Sequence, residues 1–202
     1  VAIVTKSGLY DCNTDYAQGG IAAVLDAQDS FAEHIEDTFA AGAELGKKEV
    51  ISRIIEQGPD LIQYLIDLGT DFTRRDDSYD RRLENLSLTR EGGHTHRRVA
   101  HAADSTGHMI MEALISNCLR DPNIDIFENR LAIDLITQHH VKNEHGFIPG
   151  IACWGAYVLD SNANIVDIFK ARKTMLATGG AAQIYGHNTN PDVATGDGMA
   201  MA

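Results

Sequence analysis

The order of strand and helix patterns constrains the fold of this chain more than any other feature of its sequence. A short apolar run, Val1–Thr5, has the composition of a strand that is buried on both faces of a parallel sheet. Helical periodicity follows it, and strand patterns return only after Asp121-Pro122. A strand, a block of helices, an antiparallel insertion and a returning strand predict an α/β nucleotide-binding domain that carries a small antiparallel β-meander.

Capping signals and apolar spacing place the helices. The stretch Ser30–Glu33 has the spacing of a capping box, so a helix is predicted to begin there. A second helix is predicted over Lys48–Gln57, and the next one ends at Gly69. Another helix is predicted over about Ser105–Leu119, where apolar residues form one stripe. The polar segment Thr70–Arg98 between them is long for a connection, which is typical of a functional loop.

Strand patterns dominate the last third of the sequence. A cluster of turn-forming residues, Asp160–Asn164, separates two of these strands and predicts a hairpin. The predicted strands are Ile124–Glu128, Leu131–Thr137, Ile151–Leu159, Ile165–Ala171 and Thr174–Ala177.

Composition excludes several classes of function. The formal net charge of −12 argues against nucleic-acid binding, because a protein that binds the phosphate backbone needs a basic face. Three widely spaced cysteines form neither a disulfide framework nor a zinc pattern, so the predicted location is the reducing cytoplasm. His94, His96 and His101 match no ligand spacing, and no metal site is predicted. No apolar run approaches the roughly 20 residues of a membrane helix, so no membrane span is predicted.

Three glycine-bearing loops are the candidate ligand-binding segments: Asn13–Gly20, Leu176–Gly180 and Thr195–Gly198. Glycine lets backbone amides approach a ligand closely, and the second loop follows a predicted strand, where α/β folds bind ligands. The third opens a helix, whose N-terminal amides attract electron-rich groups. The alternatives are an ordinary turn, a plain strand-to-loop junction, and an Asp197 that only caps its helix.

Six stretches, in this order, resemble the flavoprotein family of succinate dehydrogenase, fumarate reductase and L-aspartate oxidase, and they are most similar to its L-aspartate oxidase branch. They extend over nearly the whole chain and are Tyr16–Val24, Leu88–Arg98, His101–Gly107, Leu176–Gly180, Asn188–Pro191 and Thr195–Gly198. The resemblance implies a partial Rossmann-like FAD-binding domain over residues 1–202. The first Rossmann strand with its G-x-G-x-x-G turn, and the substrate-capping domain, are expected to lie outside this sequence, so the domain is expected to be truncated at both ends.

The resemblance also implies which residues bind FAD. In the succinate branch the position of Asn13 is usually a histidine that bonds covalently to the flavin. Asparagine cannot form that bond, so the cofactor is expected to be non-covalent. The implied cofactor-binding residues are Lys6, Asn13, Thr14, Asp15, Tyr16, Ala17, Gln18, Gly19, Gly20, Ala177, Thr178, Gly179 and Asp197.

Glu91 is the substrate-orienting residue that the resemblance implies. Its position is typically aromatic in the succinate branch, whereas the aspartate oxidases have a glutamate there. A carboxylate makes a charge-assisted hydrogen bond with a substrate ammonium group, which succinate lacks. The alternative is a solvated glutamate paired with Arg90.

The implied reaction is oxidation of L-aspartate to iminoaspartate, the first step of de novo NAD biosynthesis. Oxygen or fumarate would reoxidise the flavin, and the product would pass to quinolinate synthase. The family's catalytic base is expected beyond Ala202, so no catalytic residue is expected within the chain. Two alternatives remain: a fumarate reductase or succinate dehydrogenase flavoprotein subunit, and an inactive fragment.

Overall fold

A computed structural model of the chain describes residues 1–75, 82–142 and 150–202. The chain forms two compact units. The helical unit is Thr14–Asn117, and the strand-rich unit combines Val1–Asn13 with Cys118–Ala202. The predicted functional loop Thr70–Arg98 lies partly outside the described residues.

The predicted mixture of helices and strands is confirmed. In chain order the elements are β1 Ala2–Val4, β2 Ile21–Ala22, α1 Phe31–Ala41, α2 Lys48–Glu56, α3 Gly58–Asp67, β3 Leu88–Thr89, β4 Val99–Ala100, α4 Thr106–Arg120, β5 Asp125–Phe127, β6 Arg130–Thr137, α5 Gln138–Lys142, β7 Cys153–Asp160, β8 Ile165–Lys170 and α6 Asp197–Met201. Short 3-10 turns occupy Leu83–Asn85 and Ala182–Ile184. None of the helices in the described part of the chain is long and apolar enough to cross a membrane.

The helical unit packs its helices around a small antiparallel sheet with strand order β2-β4-β3. Ser30 caps α1 as predicted, since its hydroxyl oxygen accepts a hydrogen bond from the Glu33 amide at 3.2 Å. On α3, Ile62 and Ile66 lie one turn apart and are both buried. The apolar core of the unit consists of Ala23, Ile62, Ile66, Phe72, Leu86, Leu88, Ala100 and Ile110.

The strand-rich unit contains a parallel strand pair and the predicted β-meander. Strands β1 and β5 pair in parallel, with Ala2 opposite Asp125. Strands β6, β7 and β8 follow one another in an antiparallel sheet. The hairpin between β7 and β8 forms because the Asp160 carboxylate accepts bonds from the amides of Asn162 and Ala163, at 2.9 and 3.0 Å. The predicted α/β class with a small meander is thereby confirmed.

One predicted strand, Thr174–Ala177, is wrong. The segment has irregular backbone, and its side chains are exposed, with Met175 89% exposed. A strand needs a hydrogen-bonding neighbour, and none of the described strands pairs with this segment. The apolar composition of this segment therefore predicted a strand that does not form.

Candidate cofactor-binding and substrate-binding residues

In the strand-rich unit, Lys6 and Asp197 form an ion pair. Lys6 follows β1, and its Nζ atom donates to Asp197 Oδ2 at 2.9 Å and to Thr195 Oγ1 at 2.6 Å. The hydrogen bond from Lys6 is the main cause that lowers the pKa of Asp197 below its ordinary value. Asp197 is therefore ionised at neutral pH.

The alternative in which Asp197 caps α6 is wrong. Gly196 is the N-cap residue, and it has a positive φ of 78°, which favours glycine. Asp197 is the first residue of the helix, and no side chain caps the helix with a hydrogen bond. Its carboxylate instead accepts from Lys6 and from the Thr195 hydroxyl at 2.8 Å.

The two late glycine loops lie against each other in the same unit. Gly198 has no room for a side chain, because a Cβ there would overlap the hydroxyl of Thr178. Gly179 has a φ of 70°, and a Cβ on it would lie 3.8 Å from the amide nitrogen of Asn13. The structure therefore brings Asn13, Thr178 and Gly179 together, with Ala177 preceding them in the exposed segment.

In the helical unit, the loop Thr14–Gly20 presents an exposed backbone. The loop turns where the Ala17 amide donates to the Thr14 carbonyl at 3.1 Å. Gly20 has a φ of 146°, and a Cβ there would overlap the Ala100 carbonyl, so only glycine fits. Within the described residues, the amides of Gln18 and Gly19 donate no hydrogen bond. The loop therefore offers free donors to a ligand.

Helix α4 holds this loop at three points, which the sequence analysis missed. The Gly107 amide donates to the Ala17 carbonyl at 2.8 Å, and the Thr106 hydroxyl donates to the Gln18 carbonyl at 3.3 Å. The third contact joins His108 Nδ1 and Asp15 Oδ1 at 2.8 Å. Because these residues are far apart in sequence, no local pattern could have revealed the contacts.

Glu91 also lies against this loop. A Cβ on Gly19 would stand 2.8 Å from Glu91 Oε1, so the missing side chain of Gly19 leaves room for the carboxylate. Glu91 is exposed, and within the described part of the chain its carboxylate has no hydrogen bond and no ion pair. The alternative in which Arg90 pairs with Glu91 is therefore not seen.

A buried ionic cluster fixes the segment that carries Glu91. Arg98 is fully buried, and two of its nitrogens donate to the two oxygens of Asp29 at 2.8 and 2.9 Å. Its third nitrogen donates to Asp37 at 2.8 Å, and the same Asp37 oxygen accepts from the Thr95 amide at 2.8 Å. Arg98 and Thr95, which follow Glu91 in the chain, are thereby anchored to Asp37 on α1 and to Asp29, two residues before that helix.

His34 of α1 lies buried near this cluster. Its ring contacts the ring of His94 edge-on, with centroids 6.0 Å apart. Burial lowers the pKa of His34, and the positive charge of Arg98 lowers it further. His34 is therefore neutral at neutral pH, which suits a ring buried beside a guanidinium group.

Asp29, Glu33 and His96 bring ligand-type atoms within 4.8 Å of one another. Both oxygens of Asp29 accept from Arg98, however, and Glu33 accepts from Ser30 and lies 3.3 Å from His96. These carboxylates already have partners, so we assign no metal to them. The prediction that the chain holds no metal remains a prediction.

Comparison with known proteins gives consistent matches over the whole chain. Residues 1–202 match a protein family described as "FAD binding domain". L-aspartate oxidase 1 of Ralstonia nicotianae is 46% identical over 203 residues, which cover 100% of this chain and 36% of that protein. The chloroplastic L-aspartate oxidase of Arabidopsis thaliana is 45% identical and is covered over 29% of its length. The chain thus spans about a third of these relatives.

Solved structures give the same result for the fold. A variant of the E. coli quinol fumarate reductase subunit FrdA superposes with a TM-score of 0.86 and 29% identity, covering 100% of this chain and 32% of that chain. The Mycobacterium smegmatis Sdh1 complex in its apo form gives a TM-score of 0.85 and 28% identity, covering 100% of this chain and 34% of the other.

Proposed function

Because the chain belongs to the FAD-binding domain family, we propose that it is the FAD-binding part of an enzyme that oxidises L-aspartate to iminoaspartate. The support is the 46% identity to an L-aspartate oxidase over the full length of this chain. The chain covers only 36% of that relative, so the activity belongs to the longer protein.

The loop Thr14–Gly20 fits a flat, electron-rich cofactor. Gly19 and Gly20 carry no side chains, and the residues from Tyr16 to Gly20 are exposed. The free amides of Gln18 and Gly19 can donate to oxygen atoms of a flavin or of a phosphate. We therefore assign residues 14–20 to FAD binding.

The Lys6–Asp197 pair fits the polar part of the same kind of cofactor. An ionised Asp197 accepts hydrogen bonds from ribose or ribityl hydroxyls, and Lys6 attracts phosphate oxygens. Thr178 and Gly179 lie beside α6, which Asp197 opens. We assign Lys6, Ala177, Thr178, Gly179 and Asp197 to cofactor binding on these grounds.

Asn13 supports non-covalent binding of FAD. Its amide nitrogen lies against Gly179, one of the residues assigned to the cofactor. An asparagine amide donates and accepts hydrogen bonds, but it is not a nucleophile that attaches a flavin. FAD would therefore be retained by hydrogen bonds and packing alone.

Glu91 is the residue of this chain that would recognise the substrate. Bound FAD would supply the acceptor for the hydride that leaves the substrate Cα. The Glu91 carboxylate would bind the substrate ammonium group, and this bond would orient the Cα hydrogen. The observation that carries this proposal is the unpaired Glu91 carboxylate packed against Gly19 of the assigned cofactor loop.

A fumarate reductase or succinate dehydrogenase subunit is the second candidate, because such structures superpose closely. Their 28–29% identity is well below the 46% of the aspartate oxidase relative. Succinate also has no ammonium group to pair with Glu91. The aspartate reaction is therefore the better supported of the two.

The metabolic context is proposed from the family resemblance. The reaction would be the first step of NAD biosynthesis, with oxygen or fumarate as electron acceptor and quinolinate synthase as the enzyme that uses the product. The three cysteines are free thiols, as is usual in the reducing cytoplasm, which we propose as the location.

Anaerobic reduction of the intact, FAD-loaded protein tests the proposal. L-aspartate is expected to abolish the visible absorbance of the oxidised flavin, and succinate is expected to leave it unchanged. Reduction by succinate but not by aspartate would contradict the aspartate reaction and favour the second candidate. Reduction by neither substrate would favour an inactive flavoprotein.

A further inference from the structure

The first turn of α4 is the structural support of the loop Thr14–Gly20. Two of its contacts reach backbone atoms of the loop: Gly107 binds the Ala17 carbonyl, and Thr106 binds the Gln18 carbonyl. Gly107 lies so close to the loop that a Cβ on it would overlap the Thr14 carbonyl. The loop therefore rests directly on the helix.

The third contact differs because it joins two side chains. His108 Nδ1 lies 2.8 Å from Asp15 Oδ1, with side-chain exposures of 50% for His108 and 19% for Asp15. The other two contacts need no side chain of the loop, whereas this one depends on the identities of both residues. His108 is exposed enough to be replaced without damage to the core of the helical unit.

The charge of Asp15 gives this contact a consequence for the cofactor. FAD is anionic through its pyrophosphate, and a carboxylate on its binding loop would repel it. The imidazole of His108 draws the Asp15 carboxylate toward the start of α4, where the helix dipole also favours a negative charge. The loop can then offer its amides without an opposing free carboxylate.

We infer that His108 is a positioning residue for the cofactor: it holds Asp15 against α4 and thereby sets the conformation of the loop that binds FAD and the position of the Asp15 carboxylate. The inference rests on the proposed function, since it takes this loop as part of the FAD site. His108 itself need not touch the cofactor. Its effect is expected in FAD affinity rather than in folding.

The experiment measures the Kd for FAD of the intact apoprotein by quenching of flavin fluorescence. His108→Ala is expected to weaken binding about three- to fivefold, as for the loss of a partly exposed hydrogen bond between two side chains. In His108→Asn, the amide nitrogen takes the place of Nδ1, so much of the affinity is expected to return. The thermal midpoint of the apoprotein is expected to stay unchanged in both variants.

A double variant tests whether Asp15 and His108 act on FAD binding as a pair. Once Asp15→Ala has removed the carboxylate, adding His108→Ala is expected to cause no further loss. His140→Ala is the matched control, because His140 forms an equivalent exposed contact with Asp134 at 3.1 Å in the strand-rich unit. This control is expected to bind FAD like the parent.

Independent outcomes would overturn the inference. An unchanged Kd in His108→Ala, or multiplicative losses in the double variant, would show that the pair does not position the loop. A fall in thermal midpoint that tracks the loss of affinity would show a structural role instead. A parent protein that binds no FAD would overturn the proposed function, and the inference with it.

Discussion

The ammonium group of Lys6 lies 2.9 Å from the carboxylate of Asp197, although the two residues are 191 positions apart in the chain. The pair joins the segment after β1 to the start of α6 within the strand-rich unit. The family resemblance implies that both residues bind the same cofactor, and we propose this role for both. The pair therefore links two distant parts of the chain within the strand-rich unit.

Replacement of Lys6 by methionine is expected to change the response of the protein to acid. Lys6 depresses the pKa of Asp197, so the pair stabilises the folded state above about pH 4 and loses this effect as the pH falls further. Lys6→Met is therefore expected to lower the free energy of unfolding by less than about 1 kcal/mol at neutral pH. The difference from the parent should shrink below about pH 4. Urea unfolding at several pH values measures it, with Lys48→Met as the control, since Lys48 pairs with Glu36 at the same distance.

FAD in the intact protein is expected to be released by acid or heat, because Asn13 cannot bond to the flavin. Acid precipitation should leave the flavin absorbance in the supernatant. Denaturing electrophoresis provides the check, since flavin fluorescence that migrates with the polypeptide would contradict non-covalent binding.

Glu91→Gln in the intact protein is expected to lower kcat/KM for L-aspartate about 10- to 150-fold. The estimate corresponds to the roughly 1.5–3 kcal/mol of a hydrogen bond to a charged group. Fumarate has no amine, so its reduction by the reduced flavin should remain nearly unchanged. Equal losses of both activities would mean that Glu91 has a structural role. Glu49→Gln, an exposed glutamate on α2, is the matched control and should affect neither reaction.

Gly19→Ala is expected to displace the Glu91 carboxylate, because the added Cβ would lie 2.8 Å from Oε1. Glu91 is exposed and its side chain is flexible, so it should move aside without unfolding the protein. We expect a higher KM for L-aspartate, while the thermal midpoint stays near that of the parent. A normal KM would show that the position of Glu91 beside Gly19 is not needed for binding of the amine.

Arg98→Met is expected to destabilise the protein by about 3–5 kcal/mol, because it leaves Asp29 and Asp37 without their buried partner. Arg98→Lys should restore only part of this loss, since an ammonium group cannot bind both oxygens of Asp29 and also reach Asp37. The neighbouring exposed residue provides the control: Arg97→Met should change the free energy of unfolding by less than about 0.5 kcal/mol. Chemical denaturation followed by circular dichroism distinguishes these outcomes.

Local signals predicted the elements of this fold well. The cap at Ser30, the hairpin at Asp160–Asn164 and the apolar stripe of α4 each depend on residues within a few positions of one another. Such patterns can be recognised in a single sequence. The failure at Thr174–Ala177 has the opposite cause, since a strand is completed by a neighbour that its own composition does not reveal.

The contacts that build the candidate site were beyond sequence reasoning for the same physical reason. Nothing near Asp15 indicates His108, and nothing near Arg98 indicates that it is buried against Asp29. The sequence alone gives no sign that Arg98 is buried, because charged residues are rarely buried unless they are paired. Only the folded structure shows which charged side chains form ion pairs.

The discontinuous make-up of the strand-rich unit has a consequence for synthesis. Residues Val1–Asn13 belong with Cys118–Ala202, whereas the helical unit is one uninterrupted stretch. As the chain leaves the ribosome, β1 emerges early, but its partner β5 appears only after the whole helical unit has been made. The helical unit can therefore close on itself before β1 and β5 pair. Slower translation between Asn117 and Phe127 would lengthen the time in which the edge of β1 that β5 covers is open to other chains.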